Sequence, residues 1–298
     1  MSALAVTPEQ STPVAERVDM VSGGRRRSYR MVRPSDVEPG APILLALHGS
    51  LMDADSFRQF SGGTFDDVAA RDGVVVVYPD AIEGMWVDGR IDTPAKAREM
   101  GVDDVAFLAH VLEDVAARTG ADTDRAYVVG FSNGGQMATT LAHVRPDLAH
   151  GVALVGATLP VAENWDVDDQ RVAMPVLLVH GTEDPVVPYA GGVASLFGKA
   201  RGANLSIRDT SSYWLQRNGI TSRGASRFLA DDGATRVRHL HWEEDGKHPV
   251  ALYSVQGGGH SVPNLRVRAF KKMGATNRAL DTGAVAWDFF SAAESAQR

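Results

Sequence analysis

The nine residues from Tyr127 to Gly135, YVVGFSNGG, constrain this chain more than any other segment. Ala126–Phe131 is a short apolar run that reads as a buried parallel strand, and Gln136–Val144 reads as a helix stopped by Arg145–Pro146. Between them Gly130, Ser132 and Gly134 spell G-x-S-x-G. A residue at the apex of so tight a strand-to-helix turn holds a strained backbone with neighbouring chain pressed against it. Glycines two residues before and after remove the side chains that would collide. The serine hydroxyl then stands above the sheet, and the free N–H groups of the helix start face any negative charge that develops there. That is the geometry of an acyl-transfer nucleophile; the competing reading is a glycine-rich turn with a buried serine.

With 298 residues, 44% of them hydrophobic, the chain can bury one large core. Ile43–His48, Val74–Tyr78, Val152–Val155, Val176–His180 and Ala251–Gln256 are continuous apolar runs of strand length. Between them lie helical stretches at Ala54–Arg71 (interrupted by Gly62–Gly63), Asp103–Arg118, Tyr189–Lys199, Thr210–Arg217 and Ala284–Phe290. Ala81–Met100 reads as a long loop, and Ala15–Val21 with Arg27–Arg33 as antiparallel edge strands. The alternation predicts an α/β fold: a mostly parallel sheet with helices on both faces. One domain is expected over residues 14–298, after a disordered lead-in over 1–13.

A formal charge of −7 argues against a nucleic-acid or anionic-membrane partner. The basic run Arg25–Arg26–Arg27 reads as the solvated tip of a hairpin. The absence of cysteine excludes disulfides, thiolate catalysis and cysteine-ligated zinc. The first residues lack a basic start and an apolar stretch, and no apolar run has the length of a membrane span, so a cytoplasmic protein is expected.

A serine hydroxyl needs a base, and the base needs an orienting carboxylate. In sheets of this kind functional groups gather past the carboxyl ends of strands. Asp184 follows Val176–His180 in the frame Asp-Pro-x-x-Pro, and His260 follows Ala251–Gln256 and three glycines on a loop expected to be mobile. The order Ser132, Asp184, His260 is that of α/β-hydrolases. Glu183 is the competing acid. His48 and His180 end buried strands and read as satisfied by loop backbone, whereas His239-x-His241 could bind a metal only with a third ligand, and no metal site is expected. An oxyanion hole requires two N–H donors: Asn133 supplies one, and the second comes from Ser50 or Leu51, Leu51 being favoured.

These segments resemble a known group, the polyhydroxybutyrate-depolymerase-like esterases of the α/β-hydrolase superfamily, which includes feruloyl, acetylxylan and LpqC-type esterases. The likeness is carried by LALHGS at 45–50, VVVVYPD at 74–80, residues 102–138, PVLLVHGTEDPVVPYAGG at 175–192, YSVQGGGHSVPN at 253–264 and AWDFF at 286–290. The resemblance implies a Ser132/Asp184/His260 triad that hydrolyses a small or oligomeric carboxylic ester through an acyl-enzyme, with no cofactor. It also implies that Trp86 lines the pocket, against the alternative of a loop anchor packed on the core. Asp103 and Asp104 match a pair in the group and read as the cap and first turn of a helix. The rival functions are an amide or peptide hydrolase using the same triad, and a hydrolase-fold binding protein without turnover. The loops at 81–100 and 205–250 are expected to wall the pocket. Sequence carries no signal for oligomeric state.

Overall fold

A computed structural model describes residues 13–297; the lead-in expected over 1–13 lies, apart from Thr12's successor Pro13, outside the described residues. Among the described residues there are twelve strands: β1 (Val14–Ser22), β2 (Arg25–Arg33), β3 (Ile43–Leu47), β4 (Val75–Pro79), β5 (Ala126–Phe131), β6 (Val152–Val155), β7 (Val176–Gly181), β8 (Gly192–Leu196), β9 (Lys199–Asn204), β10 (Ala225–Asp231), β11 (Arg236–Trp242) and β12 (Val250–Gln256). The helices are α1 (Ala54–Phe60), α2 (Thr64–Asp72), the single turn α3 (Lys96–Glu99), α4 (Asp104–Thr119), α5 (Asn133–Val144), α6 (Ile207–Arg217) and α7 (Thr282–Ser295).

Ten strands form one sheet in the order β1-β2-β4-β3-β5-β6-β7-β12-β11-β10. The run from β4 to β12 is parallel, and two antiparallel strands flank it on each side. The central strands β3 to β7 are buried at every position and mostly apolar, because both faces are covered. Leu45, Val128 and Leu178 meet α4, α5 and α6, including Phe107, Leu141 and Trp214. Leu44, Val129 and Leu177 face the other way and pack with Phe57 of α1, Phe65 of α2 and Phe290 of α7.

Three expectations are corrected. Tyr189–Lys199 is not a helix: β8 and β9 form a separate two-stranded hairpin. Leu196 pairs with Lys199 across the two-residue loop Phe197–Gly198, whose φ values of 50° and 77° are both positive, as a twist-matched hairpin turn requires. The segment 205–250 does not wall the cavity above Ser132; beyond α6 it supplies β10 and β11, which extend the sheet edge. His239 and His241 sit on β11, with the His239 ring stacked on Tyr253 at 4.4 Å, and no cluster of three potential ligands exists among the described residues. Finally, Arg27 is not solvated. Its guanidinium lies 2.7 Å from Asp104 and 3.5 Å from the centre of the Phe107 ring, with both charged side chains buried.

That buried pair fixes a loop as well as a helix. Asp103 caps α4 by accepting the Ala106 N–H, while the Asp104 carboxylate also accepts the Val87 N–H at 2.8 Å. Removing one partner of such a pair leaves an uncompensated buried charge. Asp104→Ala is expected to cost about 3–5 kcal/mol of stability. Chemical denaturation checks it, and a loss under 1 kcal/mol would contradict the buried pairing.

Candidate active site

The turn after β5 has the conformation its glycines imply. Ser132 stands at φ 55°, ψ −115°, its N–H donating to Val155 and its carbonyl accepting from Gln136 in the first turn of α5. A Cβ on Gly130 would lie 2.1 Å from the Gly134 carbonyl oxygen, and one on Gly134 would lie 2.2 Å from that of Leu47. No real Cβ tolerates such contacts, so glycine at both positions is what lets α5 start directly against the end of β3.

Ser132, His260 and Asp184 are hydrogen-bonded in series. The Ser132 hydroxyl lies 2.9 Å from His260 Nε2, and His260 Nδ1 lies 2.7 Å from Asp184 Oδ2. Asp184 Oδ1 accepts the N–H groups of Val186 and Val187, both at 2.8 Å. The carboxylate is thereby held in one orientation, with Oδ2 turned to the imidazole. Burial alone would raise the Asp184 pKa, but the charge and hydrogen bond of His260, the nearby His180 and the Val187 N–H outweigh it and hold the carboxyl below its ordinary value. The acid bonded to the histidine is thus Asp184 and not Glu183.

The loop carrying His260 is held rather than mobile. His260 N–H donates to Met273 and Gly259 N–H to Ala275. A Cβ on Gly259 would sit 2.0 Å from the Met273 carbonyl oxygen, so glycine there serves close backbone packing.

For the oxyanion donors the structure separates the candidates. The Leu51 N–H donates to the Gly84 carbonyl at 2.8 Å, which removes it. The Ser50 N–H has no such partner among the described residues, and Ser50 lines the cavity beside Ser132. Asn133 opens α5, and its side chain has a second task invisible in the sequence. Its Oδ1 accepts the Trp86 N–H at 2.8 Å and its Nδ2 donates to Asp88 at 2.7 Å. Asp88 in turn forms a buried pair with Arg90.

Trp86 is a loop anchor, not a pocket residue. It is fully buried, its indole N–H donates to the His48 carbonyl at 2.9 Å, and its ring packs 5.0 Å from the His48 ring. His48 Nε2 accepts the Ala81 N–H, so its proton is on Nδ1, facing the Gly49 carbonyl. The loop 81–100 therefore braces the turn after β3 and the start of α5 from behind. His180 donates from Nε2 to the Val187 carbonyl at 2.9 Å, beneath Asp184.

The cavity above Ser132 has a volume of about 220 Å³. Beside Ser50, Leu51 and Phe131, its walls include residues that sequence reasoning did not single out: Phe60; Leu196 and Phe197 from the β8–β9 hairpin; and Phe270 and Met273 from the loop after His260. The hairpin had one legible signal, a residue followed by glycine between two strand-like runs at 192–204. A larger cleft of about 640 Å³, between Arg125, His150 and His248, lies at the amino ends of the strands, and no serine lines it.

Comparisons with known proteins agree with this architecture. The family described as Phospholipase/Carboxylesterase matches residues 77–216. The Nocardia uniformis subsp. tsuyamanensis protein "Putative esterase NocK" is 31% identical over 97% of this chain and 88% of its own length. Feruloyl esterase C of Emericella nidulans is 23% identical over 93% of this chain and 87% of that protein. Among solved structures, the acetyl xylan esterase from Aspergillus awamori shares the fold with a TM-score of 0.60 at 15% identity, covering 93% of this chain and 99% of that one. The sheet order and the strand-to-helix serine turn define an α/β-hydrolase. Within that class the chain belongs to the α/β-hydrolase esterases, which are carboxylic ester hydrolases.

Two predictions follow from the site's construction. Gly134→Ala should lose at least about 3 kcal/mol, because the clash is with backbone that cannot yield; a denaturation midpoint matching the parent protein would contradict the close approach. Burial pushes the pKa values of His48, His143 and His180 down. The unfolded chain therefore binds more protons than the native one once pH falls below the unfolded value of about 6.5. Stability present at pH 7 should be lost progressively on acidification below that point, seen as a falling urea midpoint between pH 7 and pH 5; a flat profile would contradict neutral burial.

Proposed function

We propose that Ser132 is the nucleophile of a serine esterase, with His260 its base and Asp184 the group that orients the base. The observation that carries this reading is the unbroken series Ser132–His260–Asp184, at 2.9 and 2.7 Å, with the serine on a strained turn at the carboxyl end of the sheet. His260 Nε2 takes the hydroxyl proton as Ser132 Oγ bonds to the ester carbonyl carbon. The carbonyl electron pair moves to oxygen, where the N–H groups of Asn133 and Ser50 receive it. The pair returns, the carbon–oxygen bond to the alcohol breaks, and the alcohol leaves with the proton from His260. Water repeats the sequence on the acyl-enzyme and releases the acid. The scheme calls on no cofactor. The substrate is a small or oligomeric ester; the names of the relatives point to esters of aromatic or acetyl groups.

Asp184 acts through a tautomer. Its Oδ2 accepts from Nδ1–H and so keeps Nε2 free to take the serine proton. In Asp184→Asn the Val186 and Val187 N–H groups still require an acceptor, so the amide oxygen takes the Oδ1 place and the NH₂ faces His260. Nδ1 must then accept, and the proton moves to Nε2, where it disables the base. Turnover of p-nitrophenyl acetate should fall by about 10⁴-fold in Asp184→Asn and by more than about 10³-fold in Ser132→Ala, with little change in stability for Ser132→Ala. Parent-like kcat in Ser132→Ala would refute the assignment.

A further inference from the structure

We propose that Leu51, Phe197 and Phe270 form an apolar clamp at the mouth of the catalytic cavity, and that it selects esters carrying one uncharged group about the size of a phenyl ring or a six-carbon chain. The proposal rests on the esterase reading of Ser132. Single exposed apolar side chains are ordinary, but a group of them around one opening marks a binding site. Phe270 is 78% exposed, Phe197 69% and Leu51 63%; only Val21 among the described large hydrophobic residues matches them. All three line the cavity whose floor is Ser132 and His260.

Two of the three hold their place against backbone preference. Phe197 and Leu51 have φ values of 50° and 63°, a region that glycine or asparagine enters at less cost. A strained residue that keeps a large, exposed apolar side chain points to a use for that side chain outside the folded core.

Each jaw is tied to a different part of the catalytic machinery. The root of the hairpin bearing Phe197 packs Ala194 and Leu196 on Val186 and Val187, the residues that hold Asp184, and Ser195 N–H donates to Val186. Met273 N–H donates to Phe270, and the Met273 carbonyl accepts from His260. Leu51 follows Ser50 and is pinned through its own N–H to Gly84. The clamp is thus registered to the reacting atoms. No Asp, Glu, Lys or Arg lines the cavity; its polar side chains are Ser50, Ser132 and His260. An anionic or strongly hydrated substituent would lose its water there without a compensating partner.

The test compares kcat/KM for p-nitrophenyl acetate, hexanoate and benzoate, and for an ester of a dicarboxylic acid with one free carboxylate. The parent enzyme should prefer hexanoate and benzoate over acetate and discriminate against the anionic ester. Phe197→Gly and Phe270→Ser should each lower the hexanoate-to-acetate ratio by roughly tenfold. Phe197→Gly should also keep or raise the melting temperature, because glycine relieves the left-handed strain while a merely structural phenylalanine would be missed. An unchanged ratio in both variants, or a parent enzyme indifferent to chain length, overturns the clamp. Absence of any ester turnover together with failure of Ser132 to react with a fluorophosphonate overturns the esterase reading instead.

Discussion

The contact on which the rest depends is the one between the first turn of α5 and the end of β3, where Gly134 lies close enough to the Leu47 carbonyl that no side chain can intervene. Because the two segments touch backbone to backbone, the serine apex, the Ser50 N–H and the Asn133 N–H belong to one compact layer at the carboxyl edge of the sheet. Around that layer the loop 81–100 is drawn in as a brace. Its hydrogen bonds to His48, Asn133 and Asp104 bury Trp86 and convert an irregular segment into a rigid backing. The buried Arg27–Asp104 and Arg90–Asp88 pairs close the brace from two sides.

Asp184 and His260 are placed in line with the serine by different means. Asp184 is set by its own turn, since Oδ1 is consumed by two backbone N–H groups and one oxygen is left to orient. His260 is set by tertiary packing: its loop runs against residues 273–275, with glycines where the two backbones meet. A short-range device and a long-range one thus converge to hydrogen-bond distance.

Legibility in the sequence followed the same division. Gly130, Ser132 and Gly134 state a local geometry in five residues, and Asp184 carries its restraint in the Asp-Pro-x-x-Pro frame, so both could be read from the chain. The parallel core was readable because strands covered on both faces are mostly apolar. Where a side chain's role is set by what lies across the molecule, local reading failed. Trp86 in a loop gives no hint that it faces inward, and whether the N–H of Leu51 or of Ser50 is spent depends on Gly84, more than thirty residues away. Arg27 looked solvated because its partner, Asp104, lies on a distant helix. The segment 189–199 carries three glycines, which disfavour a helix, and the pairing of Leu196 with Lys199 across a left-handed Phe197–Gly198 turn makes it part of a hairpin.

The separation between brace and mouth has a consequence for how such a molecule can change over generations. The brace is built from buried charges and close backbone contacts, where nearly every substitution is costly. The mouth is built from a hairpin outside the main sheet and from turns whose side chains face solvent. Substrate preference can therefore drift through exposed positions such as 197 and 270 while the reaction centre stays intact, so that one chemistry serves many acyl or alcohol groups without the fold being renegotiated each time.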